Sequence, residues 1–459
     1  MAEANSGRAL LVDLYELTMA AAYFEHRVDC HATFELFVRH LPAERSFLVS
    51  AGLESALEFL ENLHFTDEDV RFLRALPAFR TVSPAFFDYL REFHFSGDVN
   101  ALEEGTLVFA EEPILQVTAP IREAQIVETY LLSVINFETL IASKAARVVR
   151  AARGRGVLEF GTRRAHGPEA GVRAARAAYV GGCVATSNVL AGFRYGIPLA
   201  GTAAHSWTQV FTSERRSFEA LLETFPETAI LLIDTYDPLI GAEIAATLGR
   251  KIPGVRLDSG DLLEKSRCVR ETLNRHGLHD TQIVASGDLN EFKIEELLAQ
   301  GAPIDLFGVG TDLATSRDVP ALSVVYKLVE TEHQGRVENK TKFSEQKVYS
   351  PGRKQVFRFS SAGQFHHDLI ARAGENYPDA TPLLQPRMRN GQRLGHRPQL
   401  DEIRARTLAN LERLPEPYQA LRGAPTYPVT KSAALDRLLE EARERFLGAS
   451  QAFAVRRRP

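Results

Sequence analysis

Between about residues 150 and 335 the chain repeats one pattern: a short apolar run closes in a polar or glycine-rich tip and is followed by a helical stretch. The runs with their tips fall at 157–164, 197–205, 229–237, 255–261, 283–288 and 306–311, and 321–329 is a further candidate without a glycine tip. Apolar runs this short read as buried strands. Their alternation with helices argues for parallel strands joined by crossover helices. Six or seven such units favour a barrel over an open doubly wound sheet. In either architecture the tips share one edge, the carboxyl ends of the strands, where ligands bind. The expected fold is therefore α/β, an irregular α/β barrel beside a second α+β domain.

The flanking sequence supplies that second domain. Leu10 to Phe24 is apolar at helical spacing, with Asp13 placed to cap it, and Ala32 to Val38 alternates like a strand. Residues 99–117 read as a meander of short strands, and 121–150 as a helix or helix pair. After Glu330 come a strand around Val356-Phe357-Arg358-Phe359, a Pro/Gly/Arg-rich segment near 386–398, and amphipathic helices near 400–414 and 432–447. The domains expected are 1–145, 146–335 and 336–459, the last packing on the first.

Composition narrows the partners. The 459 residues carry a net charge of −5 with 45% hydrophobic and 25% charged residues, which argues against a nucleic-acid partner. Cys30, Cys183 and Cys268 are isolated and odd in number, so no disulfide framework or CxxC metal site is expected. The polar start lacks the order of a signal peptide, and no stretch approaches the ~20 apolar residues of a membrane span. The expected compartment is cytoplasmic.

The tips divide by chemistry. Ser286-Gly287-Asp288 and Gly308-Val309-Gly310-Thr311 are small-residue loops whose backbone N–H groups suit a phosphate, although each also fits a tight structural turn. The other tips are charged: Arg163 and Arg164, His205, Asp234, and Arg256 with Asp258 and Asp261. Arginine's fork suits carboxylates and phosphates, and clustered aspartates suit magnesium or a sugar diol. For any one of these a structural salt bridge is the simpler reading; four charged tips on one rim argue for a site.

Asp13-Leu-Tyr-Glu-Leu-Thr-Met19, Glu159-Phe-Gly-Thr-Arg-Arg164, Gly201-Thr-Ala-Ala-His-Ser206, Ile233-Asp-Thr-Tyr-Asp237, Arg256-Leu-Asp-Ser-Gly-Asp261, Ser286-Gly-Asp-Leu289 and Gly308-Val-Gly-Thr311 occur in that order. Taken together, with the Lys347-Val-Tyr-Ser-Pro-Gly-Arg-Lys354 stretch, they resemble the nicotinate phosphoribosyltransferase family over most of the chain.

That resemblance implies transfer of the phosphoribosyl group of phosphoribosyl pyrophosphate to nicotinate, coupled to ATP hydrolysis, with Mg²⁺ as cofactor. It assigns His205 as the residue phosphorylated by ATP and Asp234 as the carboxylate that orients it. Arg256 and Asp258 fall beside the phosphates and ribose. Phe160 matches an aromatic stacked on the pyridine ring, Tyr15 the ring that completes the stack from the partner of a homodimer, and Arg163 and Ser206 positions near the base. Ser286, Gly287, Asp288, Gly308, Gly310 and Thr311 hold the ribose-phosphate end. Without the resemblance Tyr15 reads as a core or interface aromatic. Ser187 stands where related nicotinamide-using enzymes carry an acid; a carboxylate there would repel nicotinate, whereas a hydroxyl donates to it. The neighbouring alternatives are a nicotinamide or quinolinate phosphoribosyltransferase, an inactive relative and an unrelated barrel enzyme. The metal ligands are not identified from the sequence.

Overall fold

The computed structural model describes residues 8–344 and 347–456. Residues 1–7 and 457–459, with the polar start and the arginine-rich end, lie outside the described residues.

The repeated pattern folds into one curled, parallel six-stranded sheet. Its order is Ala185–Thr186, Gly156–Glu159, Leu306–Val309, Gln282–Ala285, Gly254–Leu257 and Ile230–Leu232. All five pairings are parallel, so every tip emerges on the same edge. Inside the curl, Leu158, Ala185 and Val284 pack with the half-buried Phe160, Ala200, Ile230 and Leu306. The helices that follow the tips start on side-chain caps. Asn188, Asp237, Asp261 and Asn290 accept backbone N–H groups of Val189–Tyr195, Pro238–Ala246, Leu262–Arg275 and Glu291–Ala299. Each such cap stabilises a helix start by about 1 kcal/mol.

Two expectations about the strands are corrected. The 197–200 run forms only a single parallel bridge, Leu199 to Thr186, because Leu199 is exposed instead of buried. The 321–329 candidate is not a barrel strand. Val324–His333 pairs antiparallel with His31–Val38 in a seven-stranded sheet that also takes strands from 98–120, 336–339 and 385–393. The meander and the helix pair form as Asp98–Ala101, Leu107–Val108, Pro113–Pro120, Ile121–Ile126 and Glu128–Ala151.

The 24-residue helix Glu128–Ala151 joins the two cores. Leu131, Ile135 and Leu140 face the core of the seven-stranded sheet, and Ile141, Ala145 and Val148 that of the barrel. Its buried Lys144 Nζ lies 2.6 Å from Glu291 and 2.9 Å from Asp318, and Arg147 Nε donates to Glu291 at 3.1 Å. The helix Leu400–Arg413 also bridges both parts and does not pack on the N-terminal region alone. Arg404 donates to the carbonyls of Cys183 and Gly182, while Arg406 and Asn410 donate to those of Glu104 and Gly105. No described helix is long and apolar enough to cross a membrane.

Candidate active site

Arg256 is the hub of the rim. It leaves the strand Gly254–Leu257 with its side chain 11% exposed. Its Nε donates to Ser286 Oγ at 2.7 Å, Nη1 to Thr202 Oγ1 at 2.6 Å and Nη2 to Asp258 Oδ1 at 2.6 Å. Ser286 Oγ in turn donates to Asp258 at 2.5 Å. Two strand tips and the Gly201–Ala204 loop are thereby tied to one guanidinium. Partial burial works against the Asp258 carboxylate, but the Ser286 hydroxyl, Arg256 and His205 outweigh it and hold its pKa below the ordinary value.

His205 opens the short helix His205–Val210, and its side chain is 42% exposed. Nδ1 lies 3.2 Å from Thr235 Oγ1, and Nε2 lies 3.8 Å from Asp258 Oδ2. The expected Asp234–His205 hydrogen bond is not formed. Asp234 Oδ2 instead accepts the Asp258 N–H at 2.7 Å and the Ser259 hydroxyl at 3.0 Å, so Asp234 fixes the turn that presents Asp258. Its other oxygen is buried without a partner. Asp261 caps its own helix and leaves the list of free charged tips.

The glycine loops are shaped by close approach. Gly287 has φ +93°, and a Cβ there would sit 2.0 Å from the Asp258 carbonyl oxygen. Asp288 follows at φ +47°, exposed, and the N–H groups of residues 287 and 288 have no internal partner among the described residues. A Cβ on Gly308 would lie 2.6 Å from the ring of Phe160, which sets that ring against the strand Leu306–Val309. Gly310 caps the short helix Thr311–Ala314. The structure thus brings His205, Arg256, Asp258, Ser286, Gly287 and Asp288 to one rim, with Phe160, Gly308, Gly310 and Thr311 on the adjoining tips.

The remaining candidates lie nearby or elsewhere. Ser187 is exposed on the turn after Ala185–Thr186, and Ser206 is exposed in the first turn of the helix His205–Val210. Arg163 and Arg164 are exposed on the 3₁₀ turn Thr162–Arg164. Tyr15 is not part of this rim within the chain; it sits half-exposed on Leu14–Glu25, where burial and then Glu128 push its phenol up. Four residues went unread in the sequence: Thr202, Thr235 and Ser259 on the rim, and Glu159 beneath it. Each lies inside one of the motifs that carry the family resemblance, which was the signal that could have found it.

A curled parallel sheet with its polar and glycine-rich residues gathered at the strands' carboxyl ends defines the class: an α/β-barrel enzyme of the kind whose site is built from strand tips. Comparison with known proteins gives the family. The model of the nicotinate phosphoribosyltransferase family matches residues 156–350, and those of its N-terminal and C-terminal domains match 10–136 and 376–439. A nicotinate phosphoribosyltransferase of Mycobacterium tuberculosis is 47% identical over 441 residues, covering 94% of this chain and 93% of its own. The Bacillus subtilis enzyme of that name is 42% identical over 387 residues, covering 82% and 78%. The crystal structure of human nicotinic acid phosphoribosyltransferase superposes with a TM-score of 0.81 at 30% identity, covering 94% of this chain and 99% of that one. The chain belongs to the nicotinate phosphoribosyltransferase family.

Proposed function

We propose that this chain joins nicotinate to the ribose of phosphoribosyl pyrophosphate, giving nicotinate mononucleotide and pyrophosphate in NAD salvage, with ATP hydrolysed through a phosphorylated His205. The observation that carries the reading is the convergence of Arg256, Asp258, Ser286 and His205 on one rim beside the Gly287 loop. The pyridine nitrogen's lone pair attacks the anomeric carbon as the bond to pyrophosphate breaks, and the ring nitrogen needs no base. Charge builds on the ribose ring and on the departing oxygen, which is where oriented donors lower a barrier most. Phe160 supplies a face for the base, Ser187 and Arg163 meet its carboxylate, and the loops at 286–288 and 308–311 take the 5′-phosphate. Tyr15 closes the stack in the partner's site of a homodimer.

With the Nδ1 proton directed to Thr235, Nε2 of His205 offers its lone pair to the γ-phosphate of ATP; a P–N bond forms and ADP leaves. Water later breaks that bond and releases phosphate. The phosphorylated state drives the cycle by favouring the form that holds phosphoribosyl pyrophosphate tightly.

Among the described residues no group of three or more His, Cys, Asp or Glu is arranged to hold a metal alone. That suits Mg²⁺, which is commonly held by substrate phosphates with one or two carboxylates. Here Asp258 and Asp288 are the carboxylates that would share it. When bound, the ion neutralises charge on the pyrophosphate.

The test is mononucleotide formation from nicotinate and from nicotinamide, with and without ATP. Product from nicotinate, enhanced by ATP, is expected; product from nicotinamide alone, or from neither base, overturns the assignment. His205→Asn is expected to abolish acid-labile phosphate derived from ATP and the stimulation by ATP, while slow transfer to the base remains. Labelled phosphate persisting on that variant would mean another nucleophile.

A further inference from the structure

Glu159 is the last residue of the strand Gly156–Glu159, and it is fully buried directly beneath the tip that carries Phe160. A carboxylate at 0% exposure is costly unless it is bonded, and here both oxygens are used. Oε1 accepts the Gly161 N–H, and Oε2 accepts the Thr186 hydroxyl at 2.6 Å. Thr186 Oγ1 then accepts the Asn188 N–H at 3.0 Å, and Asn188 Nδ2 donates to Thr162 Oγ1 at 2.9 Å. The Ser187 N–H is held by the Glu159 carbonyl at 3.0 Å. The chain of bonds therefore runs from the Phe160–Gly161 tip through the buried acid to the Thr186–Asn188 turn and back to Thr162.

These are the two tips that the proposed reaction uses for the base: Phe160 and Arg163 on one, Ser187 on the other. Backbone pairing of Leu158 with Ala185 and of Glu159 with Thr186 sets the spacing of the strands, and beyond their ends the side-chain bonds of Glu159, Thr186 and Asn188 continue the link. Ala185–Thr186 is a two-residue strand, and the 3₁₀ turn Thr162–Arg164 contains no buried residue. The contact from below is as tight as that from the neighbouring strand: a Cβ at Gly161 would lie 2.9 Å from Glu159 Oε1 and 2.8 Å from the Gly310 carbonyl oxygen. We infer that Glu159 is a positioning residue that sets the distance between the aromatic face and the Ser187 turn, and through it the affinity and selectivity for the pyridine base, without touching the base itself. Thr186 is its obligatory partner, since it alone passes the bond from the carboxylate to the turn.

This inference rests on the placement of the base between these tips. In a network of this kind the members act as a unit, so single deletions do not add. The test measures steady-state parameters of the full-length protein for Thr186→Val, Glu159→Gln and the double variant, varying nicotinate and phosphoribosyl pyrophosphate separately. Thr186→Val keeps the shape of the side chain and serves as the readout if Glu159→Gln does not fold. Each single variant is expected to raise the KM for nicotinate by about fivefold or more, the scale of one buried hydrogen bond. The KM for phosphoribosyl pyrophosphate is expected to change less than about twofold, and the double variant to be no worse than the worse single. An unchanged nicotinate KM, equal rises in both KM values, or fully additive effects would each overturn the inference. Failure of the underlying reading is distinguishable, because then the unmodified protein forms no nicotinate mononucleotide.

Discussion

Gly308→Ala isolates the role of Phe160. Gly308 lies inside the strand Leu306–Val309, so the perturbation is steric and involves no left-handed backbone. The added Cβ would meet Phe160 Cδ2 at 2.6 Å and Cε2 at 2.7 Å. Carbon atoms pack at about 3.5–4 Å, so the ring must retreat by about 1 Å. The ring is the far end of a half-buried side chain and can move, so the stability cost should stay within the ~1–3 kcal/mol typical of overpacking. Catalysis is less forgiving, because a misplacement of about 1 Å costs on the order of a hundredfold when the displaced group positions substrate. The expected result is a folded protein with a slightly lower melting temperature and kcat/KM for nicotinate reduced about 10–100-fold. Thermal unfolding and initial rates with nicotinate varied at saturating phosphoribosyl pyrophosphate measure the two quantities. Adding Phe160→Leu should recover part of the lost stability and none of the lost activity. A folded Gly308→Ala protein with kcat and KM for nicotinate within about twofold of the original would refute the view that this ring bears on the base.

Coexpression of Tyr15→Ala and Arg256→Ala chains tests the proposed sharing of the site between two copies. In a mixed dimer one of the two sites regains both residues, so activity should rise to about a quarter of the original while each variant alone stays inactive, and no rise counts against Tyr15 acting in trans. Lys144→Met removes one cation from the buried Glu291, which keeps Arg147 and Arg45, and should cost about 1.5–3 kcal/mol, the scale of a hydrogen bond to a charged group, read as a shift in the urea midpoint. Glu16 is pushed up to about 7, first by burial and then against its Thr129 hydrogen bond by the neighbouring Glu128 and Asp13. With its folded pKa above the unfolded value, the stability it contributes is full in acid and is lost as pH rises through about 4.5 to 7. Glu16→Gln should remove that loss, so its melting temperature relative to the original should be higher at pH 8 than at pH 4.5; a constant difference would show that Glu16 does not titrate there.

The parallel sheet was legible because buried strands in a parallel sheet read as short apolar runs, and their tips must supply turns. Two runs broke that rule for physical reasons. The 197–200 run is apolar in sequence, yet Leu199 is 54% exposed, and composition alone does not reveal which face a four-residue run turns to solvent. Val324–His333 lacks a glycine tip because it leaves the barrel altogether, and its partner His31–Val38 lies some 290 residues earlier, beyond any local periodicity. Among site residues, glycines and charges stood out because their chemistry is scarce in strands and turns. Thr202, Thr235 and Ser259 did not, since a hydroxyl is informative only once something is within 3 Å or so of it.

Arg256 is tied into the rim through its whole fork. Nitrogens at all three corners of its fork donate to protein atoms: Ser286, Thr202 with the Ala203 carbonyl, and Asp258. As it stands, the guanidinium is engaged in holding the His205 loop to the Ser286 and Asp258 tips, which is a structural duty. Four of the guanidinium's N–H groups are engaged, which leaves the second N–H of Nη2 to meet an arriving phosphate. The bond to the Ala203 carbonyl, at 3.3 Å, is the longest of the four and the weakest claim on the fork. Releasing it would leave the 2.6 Å bond to Thr202 still holding the loop on which His205 is carried. Arg163 and Arg164, exposed and with no ion pair among the described residues, are by contrast free to meet an anion at first encounter. On the proposed reading an anion would therefore meet the exposed arginines first, and Arg256 while that residue keeps its hold on the His205 loop.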